Sequence, residues 1–124
     1  MTTRSEAERV FARYMEFATK HEFECSPSDL PGHPDLAFRK QQIAVMFHGC
    51  FWHSHDCPAA RRPSSNWTAW YTTLETTAAR DRKNRERLLR LGWASLVIWE
   101  CAFKADPNAA ISQVTDALDR SRYG

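Results

Sequence analysis

The sequence predicts an α/β domain with three layers, in which helices cover both faces of a small mixed sheet. Three observations support this fold class. Apolar residues recur at helical spacing near the N-terminus, short apolar runs typical of strands occur further along, and a long segment without Pro or Gly separates these runs. The resulting order of helix, strands, helix, strand and helix is typical of a sheet packed between helices.

The N-terminal part of the chain predicts one helix and two strands. Residues 5 to about 20 are expected to form an amphipathic helix, because apolar side chains recur at helical spacing at Val10, Phe11, Tyr14, Met15, Phe17 and Ala18. Residues 26–34, SPSDLPGHP, favour a loop through their Pro, Gly and Ser content. Short strands are predicted at 35–39 and 42–47, joined through two polar residues.

The segment from residue 61 to residue 100 predicts a loop, a long helix and a strand. The loop is expected at 61–66. Residues 67 to about 91 lack Pro and Gly and favour a helix, either continuous or broken near Arg80, that Gly92 ends. Residues 93–100, WASLVIWE, are expected to form a buried strand.

The C-terminal segment predicts a capped helix. Asp106 is a typical N-cap residue, and Pro107 suits the first helical position, where its missing N–H is not needed. One face of this helix would carry the apolar residues Ile111, Val114 and Leu118.

Length and composition fit a single domain over residues 1–124. The chain has 124 residues, of which 43% are hydrophobic, with five Trp and seven Phe, and this content is enough for a core. No apolar run approaches the ~20 residues of a membrane span, and the N-terminus lacks the apolar stretch of a signal peptide. We therefore expect a cytoplasmic protein.

Residues 48–57, HGCFWHSHDC, concentrate metal ligands and large aromatic side chains. A structural zinc needs four soft or borderline donors, and Cys50, His55 and Cys57 supply three from one turn. Cys101 is the expected fourth ligand, so that zinc would join this turn to the C-terminal part of the fold. The clustering of Cys with His favours metal-bound thiolates over disulfides.

Two histidines and one cysteine lie outside this ligand set. His48 and His53 alternate with the zinc ligands and form a candidate reactive pair. Their alternative role is to donate hydrogen bonds to the zinc ligands, and His53 in place of His55 on zinc is also compatible with the spacing. Cys25 is expected to be a free thiol.

A second metal site is predicted where the first two strands meet. Asp35 begins one strand and the next ends at Phe47, beside His48, so the strand ends bring a carboxylate, a main-chain carbonyl and an imidazole into one crevice. Mg²⁺ prefers oxygen ligands and takes few from the protein, so Asp35 and one carbonyl suffice, with Glu8 as a further oxygen donor. The alternative is that Asp35, which follows a proline, is only a turn former or cap.

Positive charge is concentrated in residues 80–90. The net charge of the chain is only +2, so composition alone does not indicate nucleic acid. This segment carries six cations and two anions, and its candidate nucleic-acid contacts are Arg80, Arg82 and Lys83. The alternative is an ordinary solvated helix face.

Four motifs carry a resemblance to a known family. They are LPGHPDLAF (30–38), IAVMFHGCFWHSHDC (43–57), the spacing from Trp70 to Arg80 and Asp81, and LGWASLVIWEC (91–101). In this order and at nearly this spacing they resemble the very-short-patch-repair (Vsr) DNA endonucleases, over about residues 5–118. The resemblance implies a degenerate restriction-endonuclease-like fold, a structural zinc, and Mg²⁺-dependent nicking of one strand 5′ to the T of a T:G mismatch.

The resemblance also implies roles for individual residues. Asp35 would be the Mg²⁺ carboxylate, and Phe47 would bind the metal through its backbone carbonyl, for which any side chain serves. His53 would be the general base, and His48 would position water or phosphate. Glu8 would help to hold metal-bound water. The implied zinc ligands are the four named above, Cys50, His55, Cys57 and Cys101.

The tryptophans and Phe51 divide into two groups. Phe51, Trp52 and Trp70 match family positions that insert as a wedge into the DNA stack beside the mismatch. Their alternative role is packing around the zinc. Trp93 and Trp99 are expected in the hydrophobic core.

The sequence departs from the family pattern in three respects. The N-terminal arm that wraps DNA in family members is shorter here, and Thr73 and Thr77 occupy positions where a Lys and an Asn are usual. The spacing from Glu8 to Asp35 is one residue longer than in the family, so Glu6 is an alternative to Glu8.

The expected function is that of a Mg²⁺-dependent endonuclease that nicks duplex DNA in very short patch repair. A nuclease of broader duplex specificity and a non-catalytic, zinc-stabilised DNA-binding module are the alternatives, and the joint presence of Asp35, His48 and His53 favours an enzyme. The expected partner is mismatched double-stranded DNA, with a repair protein or a methyltransferase acting alongside. We expect a nucleoid-associated monomer without membrane contact.

Overall fold

A computed structural model describes residues 6–49 and 67–121 of the chain. Helices and strands alternate in this part in the predicted order, with two short elements added. In chain order the elements are α1 (Glu6–Ala18), β1 (Glu24–Cys25), β2 (Leu36–Phe38), β3 (Ile43–His48), α2 (Trp67–Arg90), β4 (Ala94–Trp99), α3 (Glu100–Ala105) and α4 (Pro107–Arg120).

The four strands of the described residues form one mixed sheet in the order β1-β2-β3-β4. The two pairs β1–β2 and β2–β3 are antiparallel, whereas β3 and β4 run parallel and are connected through α2. In the β2–β3 register Leu36 faces Val45, and in the β3–β4 register His48 faces Trp99. The predicted α/β class with a small mixed sheet is confirmed.

One face of the sheet is covered by α1, α3 and α4. Because side chains alternate along a strand, Leu36 and Phe38 of β2 point to this face. Three phenylalanine rings join the layers, since Phe11 of α1, Phe47 of β3 and Phe103 of α3 lie with centroids 5.3 to 5.7 Å apart. This face carries the larger core.

The opposite face is covered by α2, and its core is smaller. Ala37 and Ala44 occupy the strand positions that alternate with the larger core, and their short side chains let α2 pack close to the sheet. Leu88 of α2 is fully buried there, next to Trp93. Helices therefore pack on both faces of the sheet, which is the layered arrangement that the sequence predicted.

The inward face of α1 is narrower than predicted. Phe11 and Met15 are buried, but Val10 and Tyr14 are partly exposed and Phe17 is 90% exposed. Helix α1 contacts the sheet along one stripe, so apolar side chains to either side of that stripe remain in solvent.

The prediction of a buried strand at 93–100 is wrong in two respects. Strand β4 lies at the edge of the sheet, so only Ile98 within it is buried and its other residues are exposed or half-buried. Glu100 does not extend the strand but begins α3, a short helix that the sequence analysis missed.

The ends of the two remaining helices follow the sequence signals. Helix α2 continues without a break through Arg80, and Gly92 follows it with a φ of 87°. Asp106 accepts a hydrogen bond from the Ala109 amide at 3.2 Å, and Pro107 occupies the first turn of α4, as predicted. None of the helices described above combines the length and the apolar character needed to cross a membrane.

Candidate active site

Asp35 lies immediately before β2 and is held by two hydrogen bonds to other segments. Its backbone carbonyl accepts from the Ser26 amide at 3.0 Å, beside the short strand β1. Its carboxylate oxygen Oδ2 accepts from the Phe47 amide at 2.6 Å, near the end of β3. The carboxylate therefore joins the open ends of β2 and β3, a tertiary contact that a turn former acting only on its own loop does not make.

The turn that precedes Asp35 is seated on α2. The His33 amide donates to the Leu30 carbonyl at 3.2 Å, and both Gly32 and His33 have positive φ, at 80° and 46°. A Cβ atom added to Gly32 would lie 3.0 Å from the Cβ of Asn84. The close approach requires glycine at this position, so the turn and the helix fix the direction from which the chain enters β2.

A cavity of about 360 Å³ lies at this end of the sheet. The residues predicted to hold or surround Mg²⁺ are among those that line it, namely Glu8, Asp35, Phe47 and His48. The other lining residues are Gly32, His33, Met46, Asp81, Asn84 and Arg85. Strand alternation places Asp35 and His48 on the α2 side of the sheet, two positions from Ala37 and Met46 of the smaller core.

His48 ends β3 and is 9% exposed. Its ring packs edge-on against the indole of Trp99, with centroids 5.2 Å apart and an interplanar angle of 73°. Trp99 is also its partner in the parallel register, and it is half-buried, so this side chain supports the site rather than filling a core. The contact limits the orientations that the imidazole can adopt.

Charge in the cavity is predominantly negative when the histidines are neutral. Glu8, Asp35 and Asp81 contribute carboxylates, and Arg85 contributes the guanidinium. Glu6, the alternative to Glu8, is exposed and does not line this cavity. Phe47 takes part through its backbone, because its side chain is buried in the larger core. Carboxylate and carbonyl oxygens in one cavity are a donor set suited to a hard divalent cation.

The structure leaves several predicted residues apart from this cavity. Arg80, Arg82 and Lys83 are exposed on α2 and do not line it. Cys101 is half-buried in the first turn of α3, and Cys25 is exposed and forms no disulfide within the described ranges. Trp93 is buried, as predicted.

The predicted loop at 61–66 and part of the predicted site lie outside the described residues. This applies to Cys50, Phe51, Trp52, His53, His55 and Cys57, and to the side chain of Trp70. Within residues 6–49 and 67–121 there is no group of three side chains suited to hold a metal ion, so the zinc site stays a prediction.

The sequence analysis missed the wall of the cavity that α2 contributes. Leu74 and Leu88 are buried on this helix, and Asp81, Asn84 and Arg85 lie between them at helical spacing. The signal was present, because two inward leucines fourteen positions apart define one face of the helix. The density of charge in residues 80–90 concealed it.

A larger cavity, of about 930 Å³, lies at the opposite end of β2. Gln41 is buried beside it, with its Nε2 2.9 Å from Nδ1 of His21. The Oε1 atom of Gln41 has no hydrogen-bond partner among the described residues. None of the described residues that were predicted to form the site lines this cavity, so its size does not make it the better candidate.

The chain is similar to a known protein family and to several known proteins. A family model described as DNA mismatch endonuclease Vsr matches residues 1–59. The type II nicking enzyme V.XorIIP of Xanthomonas oryzae pv. oryzae is 34% identical over 101 residues, which cover 82% of this chain and 74% of that enzyme. The DNA mismatch endonuclease Vsr of Escherichia coli is 32% identical over 97 residues, which cover 78% and 62% of the two chains. The type II nicking enzyme V.NmeAIP of Neisseria meningitidis is 37% identical over 93 residues, covering 70% and 66%.

The chain thus spans between 62% and 74% of the length of these three relatives. The family model and the relatives together define the class of the protein, which is that of the DNA endonucleases. Within this class, the chain belongs to the DNA mismatch endonuclease Vsr family, as the sequence motifs predicted.

Proposed function

We propose that the chain nicks one strand of duplex DNA at or near T:G mismatches, in a Mg²⁺-dependent reaction of very short patch repair. The observation that carries this proposal is the convergence of Glu8, Asp35, His48 and the Phe47 backbone on one cavity. Family membership supplies the reaction class, and the cavity supplies groups suited to it.

The donors in the cavity suit Mg²⁺. The Asp35 carboxylate and the Phe47 carbonyl would hold the ion, and the hydrogen bond from the Phe47 amide to Asp35 keeps these two residues adjacent. Glu8 would accept hydrogen bonds from water on the side of α1. Bound there, Mg²⁺ supplies positive charge beside the phosphate oxygens on which negative charge develops.

The side chains would then act on water and phosphate. The water oxygen forms a bond to phosphorus while the bond from phosphorus to the leaving sugar oxygen breaks. His53 is proposed to accept the proton that the attacking water loses, and the leaving oxygen would take a proton from solvent to become a hydroxyl. His48, oriented by the Trp99 ring, would position the water or the phosphate. Packing of this kind reduces the orientations from which the reaction must start.

We also propose a structural zinc on Cys50, His55, Cys57 and Cys101. The parallel register supports it, because His48 faces Trp99, and Cys50 and Cys101 each follow their member of this pair by two residues in the sequence. Both segments therefore leave the sheet at the same end. Zinc there would fasten the turn after β3 to the first turn of α3.

The DNA-contacting residues are proposed on the same basis. Arg80, Arg82 and Lys83 are exposed on α2 and available for phosphate contacts, which set affinity more than sequence choice. The proposed wedge into the base stack consists of Phe51, Trp52 and Trp70. We propose a monomer that works with a repair protein or a methyltransferase.

A nicking assay with a panel of duplexes tests the proposed reaction. End-labelled duplexes carrying T:G, every other mismatch, or no mismatch are incubated with protein and Mg²⁺, and with EDTA as the metal control. We expect one cut strand at T:G and no cutting in EDTA. Equal cutting of matched duplexes would establish the broader nuclease, and DNA binding without any cutting would establish the binding module.

The choice between two neighbouring acids is tested by a matched pair of variants. Glu8→Gln should slow nicking, because Glu8 lines the cavity, whereas Glu6→Gln should leave the rate unchanged, because Glu6 is exposed elsewhere. Single-turnover rates at saturating protein are the measurement. The opposite result would assign the acidic role to Glu6.

Metal analysis tests the zinc proposal, and the chain offers a control in its own Cys25. Wild type and Cys25→Ser should each hold one zinc per chain, since Cys25 is exposed on β1, far along the chain from the proposed ligands. Cys101→Ser should lose the metal and melt at a lower temperature. Retention of tightly bound zinc in Cys101→Ser would rule out this ligand set.

A further inference from the structure

Arg85 is the one cation of residues 80–90 that lines the cavity of Asp35 and His48. We propose that Arg85 is a further catalytic residue, which binds the phosphate that is cut; this inference rests on the proposed function. The remaining cations of the segment lie on α2 without lining the cavity, and they are Arg80, Arg82, Lys83, Arg87 and Arg90.

The helical spacing of α2 aims Arg85 at the site. Leu88, three residues later, is fully buried against the sheet, and Asp81, four residues earlier, lines the same cavity. Arg85 lines the cavity and is itself exposed, so its long side chain is accessible to a ligand. Its position combines access from solvent with proximity to Asp35, which is the arrangement that a group contacting DNA requires.

The Arg85 guanidinium is not paired with the acidic side chains of the cavity. Asp81 lies at the i−4 position, where an ion pair forms readily on a helix, yet among residues 6–49 and 67–121 Arg85 forms no ion pair. The cavity also contains Glu8 and Asp35. A permanently charged guanidinium kept among carboxylates without pairing to them is suited to an anion that arrives from outside.

The chemistry of the guanidinium favours phosphate as that anion. Its planar N–H groups match two phosphate oxygens at once. Negative charge grows on the non-bridging oxygens as the phosphodiester is attacked. A fixed cation beside these oxygens stabilises the transition state more than the bound substrate.

The test compares Arg85→Ala with Arg87→Ala, which removes an exposed arginine of the same helix that neither lines the cavity nor belongs to the proposed DNA contacts. Single-turnover nicking is measured at saturating protein, beside DNA affinity and the melting temperature. We expect Arg85→Ala to nick about 10²–10³-fold more slowly, whereas Arg87→Ala keeps the wild-type rate. Arg85→Lys should recover part of the rate, because an ammonium keeps the charge but not the paired contacts.

A sulfur substitution at the cut phosphate separates direct contact from indirect effects. Replacing one non-bridging oxygen by sulfur should slow wild type more than Arg85→Ala for one of the two diastereomers, because the contact is already absent in the variant. Equal thio effects in wild type and Arg85→Ala, or a rate in Arg85→Ala equal to that in Arg87→Ala, would overturn the role of Arg85 alone. Absence of nicking by wild type on every duplex would instead overturn the proposed function, and this role with it.

Discussion

The two ends of the β2–β3 hairpin differ in how their charged side chains are arranged. At the turn end, Arg39 pairs with Glu24 and Asp29, each at 2.7 Å, and all three side chains are exposed. At the open end, Asp35 shares a cavity with two further carboxylates, of Glu8 and Asp81.

This comparison distinguishes ion pairs that neutralise charge on the surface from clustered carboxylates that are suited to bind a ligand. Exposed pairs in water change stability little, and they neutralise charge where the surface has no other use for it. Gathering carboxylates in one cavity opposes folding through mutual repulsion, so such a cluster is expected only where a ligand repays it. Of the two ends, the open end therefore has the properties of an active site.

The largest expected effect on nicking comes from replacing an Asp by Asn at the open end of the hairpin, with the same replacement at the turn end as the control. Asp35→Asn should lower nicking by about 10²–10³-fold, since it removes charge that would hold the metal while the amide can still accept from Phe47. Asp29→Asn should leave nicking unchanged. Single-turnover rates in Mg²⁺ measure both variants, and an active Asp35→Asn would remove the open end as the site of catalysis.

The two glycines with positive φ give a second comparison. Gly32→Ala and Gly92→Ala both force a side chain into the left-handed region, at an expected cost of about 1–2 kcal/mol each. Gly32→Ala also drives its Cβ to 3.0 Å from Asn84, whereas the new Cβ at Gly92 meets only Gln42, at 3.8 Å. We expect Gly32→Ala to lose about 1–3 kcal/mol more, as overpacking does.

Urea unfolding of both glycine variants measures this difference, and nicking assays show its consequence for the site. Gly32→Ala should nick more slowly even where it is folded, because the turn leads directly into Asp35. Gly92→Ala lies at the start of the edge strand and serves as the control. Equal loss of stability in the two variants would show that the contact with Asn84 does not restrain the turn.

A smaller effect is expected from the ring that packs against His48. Trp99→Leu should slow nicking by about tenfold, because residues that only orient an active-site histidine contribute about 10–100-fold. Trp99→Phe should restore much of the rate, since it keeps an aromatic ring at that place. A pH profile of the rate distinguishes orientation from a purely structural role, because loss of fold alone would not move it.

The smallest effect is expected at the turn end, and it depends on pH. The Arg39 guanidinium lowers the pKa of Asp29, mainly through their hydrogen bond, so this carboxylate contributes stability above its unfolded pKa of about 3.9. That contribution disappears as the pH falls through the lower folded-state pKa. The melting temperature of Arg39→Gln should therefore be slightly lower than that of wild type at neutral pH and equal to it in acid. Melting curves in low and high salt measure the difference, which salt should reduce.

Sequence reasoning located the strand ends of the site because local rules decide them. Asp35, Phe47 and His48 follow from where two apolar runs begin and end, and Asp106 follows from capping chemistry. Strand β1 could not be predicted, because two residues are too few to show alternation and the strand exists only through its pairing with β2.

The contribution of α2 was missed for a different physical reason. Which face of a helix turns inward depends on the side chains of the sheet that it meets, and in residues 80–90 charges outnumber the apolar markers. The burial of Leu74 and Leu88 identifies the inward face of α2, on which Asn84 and Arg85 lie. Tertiary packing, more than local propensity, selected this part of the cavity.

Because the Asp35 carboxylate is hydrogen-bonded to the Phe47 amide, the register of β2 against β3 determines where this carboxylate lies in the site. A shift of β2 by one residue would turn the large side chains of Leu36 and Phe38 toward α2, where β2 now presents the short side chain of Ala37, and would place Asp35 opposite a different amide. The alternation of large and small side chains along β2 thus fixes the position of the Asp35 carboxylate. Substitutions that exchange a large and a small side chain between neighbouring core positions of β2 would therefore displace the Asp35 carboxylate from the active site.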